Sequence, residues 1–514
     1  MYSKIVSGAI LGISAYMVTV EVDVSAGLPS FHMVGLLSCE VRESKERVWT
    51  ALKNAGVDIP PTHITVNLSP ADLKKEGTAL DLPIAVAMLE ALGYFKANSV
   101  KDILFLGELG LNGEVKSIRG VLPIVQEAAR QGIRECIVPE ANAQEGAVLQ
   151  NVVVRGVSNL EEVIRFLKAC DKRREELLPA CEVQVERLFQ ETEEVEENDF
   201  VQVKGQEGVK RAALIAASGF HNLLMVGAPG TGKSMIAKRI PQILPPLTLE
   251  ESLEVTSIAS VAGLLKEKQA LVTKRPFQNP HHTISAFALT GGGLVPRPGV
   301  ISLAHRGVLF LDELPEFQRS VIDSMRQPIE ERSVQVARLH ASITYPADFM
   351  LVAAMNPCPC GYYPDRNRCR CTTLQIKKYL SRVSGPILDR IDLCVELQAV
   401  DVSGLQKDEG TISSGQLRRQ VQAARKRQKE RFLGTRYCFN SEIAGDDLEK
   451  YCMLGFEERK CMEDLYESLN LSARAYHRIL KVARTIADLA GVENIEVEHL
   501  LEAACYRPAQ DYWI

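Results

Sequence analysis

The chain has 514 residues, a formal net charge of −5, 46% apolar residues and 24% charged residues. This length predicts roughly two to four domains, and the ordinary apolar and charged fractions argue against a disordered, collagen-like or coiled-coil protein. The small net charge excludes a protein whose whole surface attracts nucleic acid, so any such binding must come from local patches.

The first block, residues 1–168, mixes β-rich runs with helical ones and is predicted to be an α/β domain. Ile5–Val20 is predicted to form a hairpin with Gly8 and Gly12 near its turn, because glycine and serine interrupt what would otherwise resemble a signal segment. Apolar periodicity and turn residues predict strands at Ile64–Leu68 and Ile103–Leu106, helices at Val41–Asn54 and Leu122–Gln131, and a tight hairpin at Gly110–Gly113.

Residues 169–200 are predicted to be an acidic linker, because the apolar period fades there and acids accumulate. The acidic run consists of Glu191, Glu193, Glu194, Glu196, Glu197 and Asp199. The second block, residues 201–400, alternates helical runs with apolar strand runs, a rhythm typical of a parallel sheet covered by helices. Its predicted strands include Asn222–Val226, Val308–Leu311 and Phe349–Ala353. Residues 401–514 contain no convincing strand and are predicted to be a helical domain.

Two features of the composition bear on where the protein works. No stretch reaches the ~20 consecutive apolar residues that cross a bilayer, so no membrane partner is expected. The 13 cysteines are odd in number and lack the spacing of a disulfide framework. The odd cysteine count and the missing framework spacing predict reduced thiols and a cytoplasmic location.

A phosphate-binding loop is predicted directly after the first strand of the second block. The motif G-x-x-x-x-G-K-S is filled at every fixed position by Gly227, Ala228, Pro229, Gly230, Thr231, Gly232, Lys233 and Ser234. A helical run, Ser234–Ile243, follows, as the motif requires. Lys233 is expected to reach the β- and γ-phosphates of a nucleotide, and the Ser234 hydroxyl to ligate Mg²⁺.

Two further strands end in residues that would complete a nucleotide site. Val308–Leu311 is followed by Asp312, expected to hold Mg²⁺, and by Glu313, expected to act as general base on the attacking water. Phe349–Met355 is followed by Asn356, whose amide can hold that water or the γ-phosphate. Taken alone, Asn356 before a proline would indicate only a turn.

Four cysteines lie close together after Asn356, in the loop 358–371. Cys358, Cys360, Cys369 and Cys371 form the pattern C-x-C-x₈-C-x-C among glycine, proline and arginine residues. Four thiolates without an apolar period suit a tetrahedral Zn²⁺ site better than a core. Unpaired or redox-active cysteines are the alternative, because the spacing is not the commoner C-x-x-C.

Basic residues form three further candidates. Arg390 follows a short helical stretch and can act in trans on the γ-phosphate bound by a neighbouring subunit of a ring. Arg474 opens a cationic helix with Arg478 and Lys481, for which a solvated basic face is the alternative. The segment 415–434 carries almost only positive charges, so it can bind DNA phosphates. A solvated basic face is the alternative. The cations of the segment are Arg418, Arg419, Arg425, Lys426, Arg427, Lys429 and Arg431.

Long stretches resemble the AAA+ ATPases of the magnesium-chelatase clade, and more narrowly the ComM (YifB) family tied to natural transformation. They are VNLSPADLKKEGTALDLPIAVAML, GELGLNGEVKSIRGVLPI, PHHTISAFALTGGGLVPRPGVISLAHRGVLFLDELPEF and YLSRVSGPILDRIDL. The resemblance implies an AAA+ P-loop NTPase core with a parallel sheet and a C-terminal α-helical lid. It also implies Walker A at 227–234, Walker B at Asp312 and Glu313, sensor 1 at Asn356, an arginine finger at Arg390 and sensor 2 at Arg474, with Arg478 as the substitute.

The first block resembles the proteolytic domain of Lon, whose chemistry uses a Ser–Lys dyad. The stretch near the nucleophile, Lys75–Leu80, has no serine, and the stretch near the dyad lysine, Gly120–Ile124, has no lysine. Because a serine peptidase needs a hydroxyl and a base in contact, we expect an α/β Lon-like domain without catalysis. Such a domain would serve ring assembly or the docking of a protein partner.

The resemblance implies an ATP- and Mg²⁺-dependent motor. It implies a homo-hexameric ring that hydrolyses ATP and, as a helicase-like motor, moves on branched or single-stranded DNA to drive branch migration. A chelatase-type ATPase that remodels a protein partner or a metal insertase is the alternative, because the same ATP chemistry serves both. An ATP-dependent protease is disfavoured by the missing dyad.

Overall fold

The computed structural model describes residues 1–96, 99–193, 199–293, 296–337, 342–398 and 412–507. Its contacts divide the chain into two compact units. The first consists of Met1–Thr192, Leu249–Thr273 and Pro296–Pro298, and the second of Glu193–Thr248, Lys274–Val295 and Gly299–Ile514. Glu194, Glu196 and Glu197 of the predicted acidic linker, and the predicted boundary at Asp401, lie outside the described residues.

The first unit is built on a mixed seven-stranded sheet. Its strands lie in the order Ser30–Val34, Thr62–Ser69, Ser14–Ala26, Tyr2–Leu11, Ile103–Phe105, Glu135–Pro139 and Val153–Val157. The N-terminal hairpin is present, with Gly12 at a φ of 69° in its turn. Gly8 lies instead inside the first strand, where an added Cβ would come within 2.3 Å of Ile124 Cγ2. Close packing, not turn geometry, therefore explains this glycine.

The first unit also contains helices, two of which, Asp171–Leu177 and Val185–Glu193, lie in the region predicted to be a linker. The helices of this unit are Cys39–Asn54, Asp81–Ala91, Val121–Arg130, Ala143–Gly146, Leu160–Lys168, Asp171–Leu177, Val185–Glu193 and Leu249–Ala262. The predicted tight hairpin joins Glu108–Leu109 to Val115–Lys116. Gly113 has a φ of 84°, whereas Asn112 is not in the left-handed region, so only one turn residue needs the freedom expected of both.

The helix Leu249–Ala262 belongs to the first unit, although the predicted boundaries place it in the ATPase core. Ser260 accepts a hydrogen bond from the backbone N–H of Gly120 at 2.9 Å and donates to the carboxylate of Glu145. Both contacts span more than 100 residues of sequence. Periodicity within the helix carries no information about such partners.

The second unit contains a five-stranded parallel sheet, as the sequence predicts. Its strands lie in the order Phe277–Gln278, Val308–Leu311, Met350–Met355, Leu223–Gly227 and Leu393–Leu397. A separate antiparallel pair is formed by Ser333–Ala337 and Ser342–Pro346. The three central strands of the parallel sheet are apolar and buried along their whole length. Their carboxyl ends meet at one edge, where polar loop residues can converge.

Helices cover this sheet and form the C-terminal region. They are Glu207–Gly219, Lys233–Ala237, Ile240–Ile243, Ala286–Thr290, Val300–Leu303, Arg319–Ser324, Arg326–Glu331, Thr373–Leu380, Gly385–Leu388, Ser414–Arg431, Asp447–Tyr451, Phe456–Ser468, Ala473–Ala490 and Val497–Cys505. The predicted helix Ser234–Ile243 is interrupted before Ile240, next to Pro241, because proline lacks the N–H that would continue it. Residues 412–507 contain no strand, as predicted. Among the described residues, no helix is long and apolar enough to cross a membrane.

Candidate active site

The phosphate loop, residues 227–234, connects the buried strand Leu223–Gly227 to the helix Lys233–Ala237. Gly230 and Gly232 have φ values of 80° and 90°, in the left-handed region that favours glycine. A Cβ added at Gly230 would meet no atom within 4 Å, so the backbone there faces open space. A glycine-rich loop of this geometry can direct backbone N–H groups at phosphate oxygens.

Lys233 projects into this loop and is only 9% exposed. Its Nζ donates to the carbonyl oxygens of Gly227 and Ala228 at 2.6 and 2.9 Å, and to Asn356 Oδ1 at 3.1 Å. Burial lowers the pKa of Lys233, an effect that the nearby carboxylates oppose. A buried ammonium whose hydrogen-bond acceptors are all neutral oxygens is poorly compensated. The residues present therefore fit a polyphosphate ligand.

Ser234 and Asp312 lie side by side, with Ser234 Oγ 2.6 Å from Asp312 Oδ2. Asp312 directly follows the buried strand Val308–Leu311, which carries its carboxylate to the same edge as the phosphate loop. A hydroxyl and a carboxylate are hard oxygen ligands of the kind that Mg²⁺ prefers. This donor pair therefore fits Mg²⁺ bound together with nucleotide phosphates.

Asn356 reaches the site because of strand register. The strand Met350–Met355 runs parallel to Leu223–Gly227, and Met355 pairs with Val226. Asn356 follows Met355 and Gly227 follows Val226, so Asn356 and Gly227 lie side by side at the carboxyl edge of the sheet. This register explains why the Asn356 amide is close enough to bond Lys233.

Glu313 stands at the start of the loop after Val308–Leu311 and adopts a φ of 53°. Its side chain is 55% exposed, and Oε2 lies 3.8 Å from His282 Nδ1. The His282 ring lies against His281, with a distance of 4.1 Å between ring centroids. The exposed carboxylate is accessible to water, as a general base must be. Nothing in the sequence pattern around these adjacent histidines predicts that His282 lies near Glu313.

Arg390, Arg474 and Arg478 line a cavity of about 270 Å³. No residue of the phosphate loop lines this cavity. Arg390 pairs with Glu330. Arg474 is 69% exposed and lies 3.8 Å from Asp389 Oδ2. Arg478 is buried and donates to the Ile391 carbonyl at 3.2 Å. The exposure of Arg474 and the burial of Arg478 favour Arg474 for contact with a ligand.

The basic segment forms the helix Ser414–Arg431, called the basic helix below. Several of its cations bond within the second unit: Arg418 to the Gln242 carbonyl, Arg425 to the Cys438 carbonyl, Arg427 to the Asp488 carbonyl, and Arg431 to the Asp488 carboxylate. Arg419, Lys426 and Lys429 are exposed. The exposed set, rather than the whole run, is therefore the candidate surface for phosphates.

Comparison with known proteins agrees with this architecture. Family models for magnesium chelatase subunit ChlI match residues 199–405 and 20–142, and a model for the C-terminal region of that subunit matches residues 411–507. YifB of Salmonella typhimurium is 42% identical over 500 residues, which cover 97% of this chain and 96% of the relative. The chain belongs to the ComM/YifB family of magnesium-chelatase-like AAA+ proteins.

Two further relatives are a competence protein and a magnesium-chelatase subunit. The protein named competence protein ComM of Haemophilus influenzae is 42% identical over 505 residues, 98% of this chain and 96% of that protein. The magnesium-chelatase 38 kDa subunit of Cereibacter sphaeroides is 27% identical over 174 residues, 31% of this chain and 52% of that subunit. Membership confirms the predicted family and, with the parallel sheet and helical C-terminal region, the predicted AAA+ α/β fold class.

Family membership carries some of the sequence predictions further than others. Magnesium-chelatase-like AAA+ proteins use ATP and Mg²⁺, in keeping with the loop and the donor pair described above. The model that matches residues 20–142 is a chelatase model, so the resemblance of the first unit to Lon stays a prediction. The role of each site residue also stays a prediction.

Proposed function

We propose that the protein is an ATP hydrolase that couples ATP turnover to movement of branched or single-stranded DNA, and so drives branch migration during recombination or natural transformation. The observation that carries the ATPase part is the convergence of Lys233, Ser234, Asp312 and Asn356 at one edge of the parallel sheet. The DNA part is supported by similarity over 98% of the chain to the relative named competence protein ComM.

In this proposal, each residue at the sheet edge has its own task. Lys233 and the backbone of the phosphate loop bind the β- and γ-phosphates, and Asn356 orients the attacking water or the γ-phosphate. Ser234 and Asp312 would hold Mg²⁺, which when bound neutralises developing charge on the phosphate oxygens. Glu313 accepts the proton of the attacking water.

Arg390 and Arg474 supply charge from a second subunit. They line a cavity without phosphate-loop residues, so a cation there does not serve the nucleotide of its own subunit through that cavity. An arginine that stabilises transition-state charge in trans needs neighbouring subunits in a ring, for which we propose a homo-hexamer. The first unit, which lacks the Ser–Lys pair of Lon, would assist ring assembly or dock a protein partner.

A chelatase-type remodeller of a protein or metal insertase is the second candidate. It is favoured by the partial match to the magnesium-chelatase 38 kDa subunit of Cereibacter sphaeroides. Since both functions use the same ATP chemistry, the nucleotide site does not separate them. The basic helix, with exposed Arg419, Lys426 and Lys429, favours DNA.

The discriminating experiment measures the steady-state ATPase rate of the full chain alone, with forked DNA, and with duplex DNA of equal length. We expect forked DNA to raise the rate several-fold, because a motor turns over on its track. The Glu313→Gln variant should bind ATP but show no stimulated rate, which excludes contaminating ATPases. A rate indifferent to every nucleic acid would contradict the DNA motor and favour the remodeller.

A further inference from the structure

The four sulfurs of the cysteine loop, residues 358–371, lie together although they come from two separate turns. Cys358 Sγ is 3.3 Å from Cys360 Sγ and 3.7 Å from Cys369 Sγ, and Cys360 Sγ is 3.6 Å from Cys369 Sγ. All four sulfurs, including that of Cys371, lie within 4.8 Å of one another. Four sulfurs at this spacing are close enough to ligate one metal ion between them.

The distances discriminate between the chemistries that four cysteines allow. A disulfide requires sulfurs about 2 Å apart, and all four of these cysteines are free. Zn–S bonds of about 2.3 Å in a tetrahedron place the sulfurs roughly 3.8 Å apart, close to the spacings observed. A polynuclear iron–sulfur cluster places several metal ions between its thiolates and needs a wider cage.

The loop has little apolar material with which to hold this arrangement. Between Cys358 and Cys371 its side chains are glycine, proline, tyrosine, asparagine and charged residues. Local polar contacts shape the turns: Cys369 N–H donates to the Asp365 carbonyl at 2.8 Å, and Gly361 N–H to the Cys358 carbonyl at 3.0 Å. The Arg368 guanidinium lies 4.1 Å from the Tyr362 ring centroid. A loop of this composition needs a metal to replace a core.

The cysteine loop also touches the phosphate loop. Gly361, at a φ of 86°, packs so closely that an added Cβ would lie 2.4 Å from Pro229 Cδ. On its other side the loop begins two residues after Asn356, whose amide bonds Lys233 at 3.1 Å. The cysteines are therefore tied to the nucleotide site by a packing contact and by the backbone.

We propose that Cys358, Cys360, Cys369 and Cys371 bind one Zn²⁺, and that this zinc-bound loop braces the phosphate loop through Gly361 and Asn356. Zinc is structural here, because four protein thiolates leave no open coordination position for a substrate. Loss of the metal frees the turn that packs on Pro229 and weakens nucleotide binding. This second part rests on the proposed ATP site, whereas the metal site does not.

The first test is the metal content of the full-length protein purified without chelator, measured by elemental analysis. We expect about one zinc per chain, which is retained in Cys438→Ser, a matched control with an exposed cysteine outside the loop. Cys360→Ser and Cys369→Ser should lose it. Less than about half a zinc per chain, or iron in its place, would overturn the assignment.

The second test measures binding of a non-hydrolysable ATP analogue to the same proteins. Cys369→Ser should bind it at least about fivefold more weakly, a coupling of ordinary size between two sites, with circular dichroism confirming that the variant is folded. Gly361→Ala should keep its zinc but weaken the analogue to a similar degree, because its Cβ displaces Pro229.

A third variant separates the two parts of the proposal. Lys233→Ala should keep its zinc and lose the analogue. Zinc-free variants that bind the analogue as the wild type does would overturn the bracing. A wild-type chain that carries zinc but binds no ATP would instead refute the proposed function and leave the metal site standing.

Discussion

At the scale of single residues, we expect nucleotide binding to depend most on Lys233. Its ammonium is buried and bonds to neutral oxygens of Gly227, Ala228 and Asn356. A buried ammonium loses its hydration, and hydrogen bonds to neutral oxygens replace only part of the lost free energy. Hydrogen bonds to a charged triphosphate would replace more of it. We therefore expect the loop to favour a phosphate ligand before any other part of the site changes.

We therefore predict that Lys233→Ala weakens ATP binding by at least roughly 10- to 100-fold, the range expected for a lost charge-assisted hydrogen bond. Equilibrium binding of a fluorescent ATP analogue provides the measurement. Lys238→Ala is the matched control, because Lys238 extends from the end of the same helix but is exposed. Equal affinities for the two variants would show that Lys233 does not bind phosphate.

The residue scale also shows where sequence information ends. The positions of Asp312, Glu313 and Asn356 could be predicted because each lies within two residues of the end of an apolar strand, and parallel strands bring such residues to one edge. His282 could not, because its approach to Glu313 depends on how a loop folds back. Adjacent histidines without a third ligand carry no signal for that contact.

At the scale of elements, the basic helix contains two kinds of cation. Arg431 donates to the carboxylate of Asp488, which is fully buried and also accepts from Arg484 and Asn440. Arg427 donates instead to the backbone carbonyl of Asp488. Removing Arg431 would leave a buried carboxylate short of a partner, and removing Arg427 would leave a carbonyl without its donor, so either change would destabilise the fold. Substitutions that test DNA binding should therefore be made only at the exposed cations.

We predict that replacing Arg419, Lys426 and Lys429 together with glutamine weakens DNA binding and lowers its salt dependence. Each lost phosphate contact should reduce the slope of log affinity against log salt by about 0.7 to 0.9, so about 2 to 3 in total. Titrations of forked DNA at several salt concentrations measure both quantities. A triple variant at the exposed Lys4, Lys53 and Lys101 of the first unit removes the same charge and should change neither.

A second element-scale prediction concerns the helix Leu249–Ala262, held by Ser260 against Glu145. Burial raises the pKa of Glu145, while hydrogen bonds from Ser260, Leu122 N–H and Asn142 oppose that shift. The folded state therefore binds this proton more tightly than the unfolded chain does. The contribution of Glu145 to stability is full below about pH 4.5 and falls as pH rises through its folded pKa.

Glu145→Gln removes this titration and retains an oxygen that can accept from Leu122 N–H. We expect hydrogen exchange in the helix, corrected for intrinsic rates, to rise less steeply between about pH 4.5 and 7.5 than in the wild type. Glu114→Gln, at an exposed site, should follow the wild type. Identical pH profiles for Glu145→Gln and the wild type would contradict a buried, titrating Glu145.

The elements themselves were largely predictable, and the exceptions share one cause. The strand Val308–Leu311 and the helix Cys39–Asn54 follow from apolar runs and periodicity, which are local properties. The position of Gly8 inside a strand and the grouping of Leu249–Thr273 with the first unit depend on distant partners. A single sequence shows which face of a helix or strand is apolar, but it does not show which other element packs against that face.

At the scale of the whole molecule, the question is whether the ATP site is completed by a second copy of the chain. Arg390 lines a cavity that includes Arg474 and Arg478 but no residue of the phosphate loop. Its guanidinium pairs with Glu330, a contact that an incoming phosphate can replace. A ring in which each subunit offers this face to its neighbour would join the two halves of the site.

Mixing two inactive variants tests that arrangement directly. Arg390→Ala should bind ATP but hydrolyse it slowly, and Lys233→Ala should bind ATP too weakly for turnover, so each should be nearly inactive alone. In rings assembled from equal amounts of both, an intact site of an Arg390→Ala subunit can receive Arg390 from a Lys233→Ala neighbour. If the arginine acts in trans, about a quarter of sites regain both components and ATPase activity returns. If it acts within its own subunit, no mixed ring contains a complete site and the mixture stays inactive. Recovery that requires co-assembly, and fails when the two variants are added as separately preassembled rings, distinguishes a shared site from a trace of wild-type enzyme.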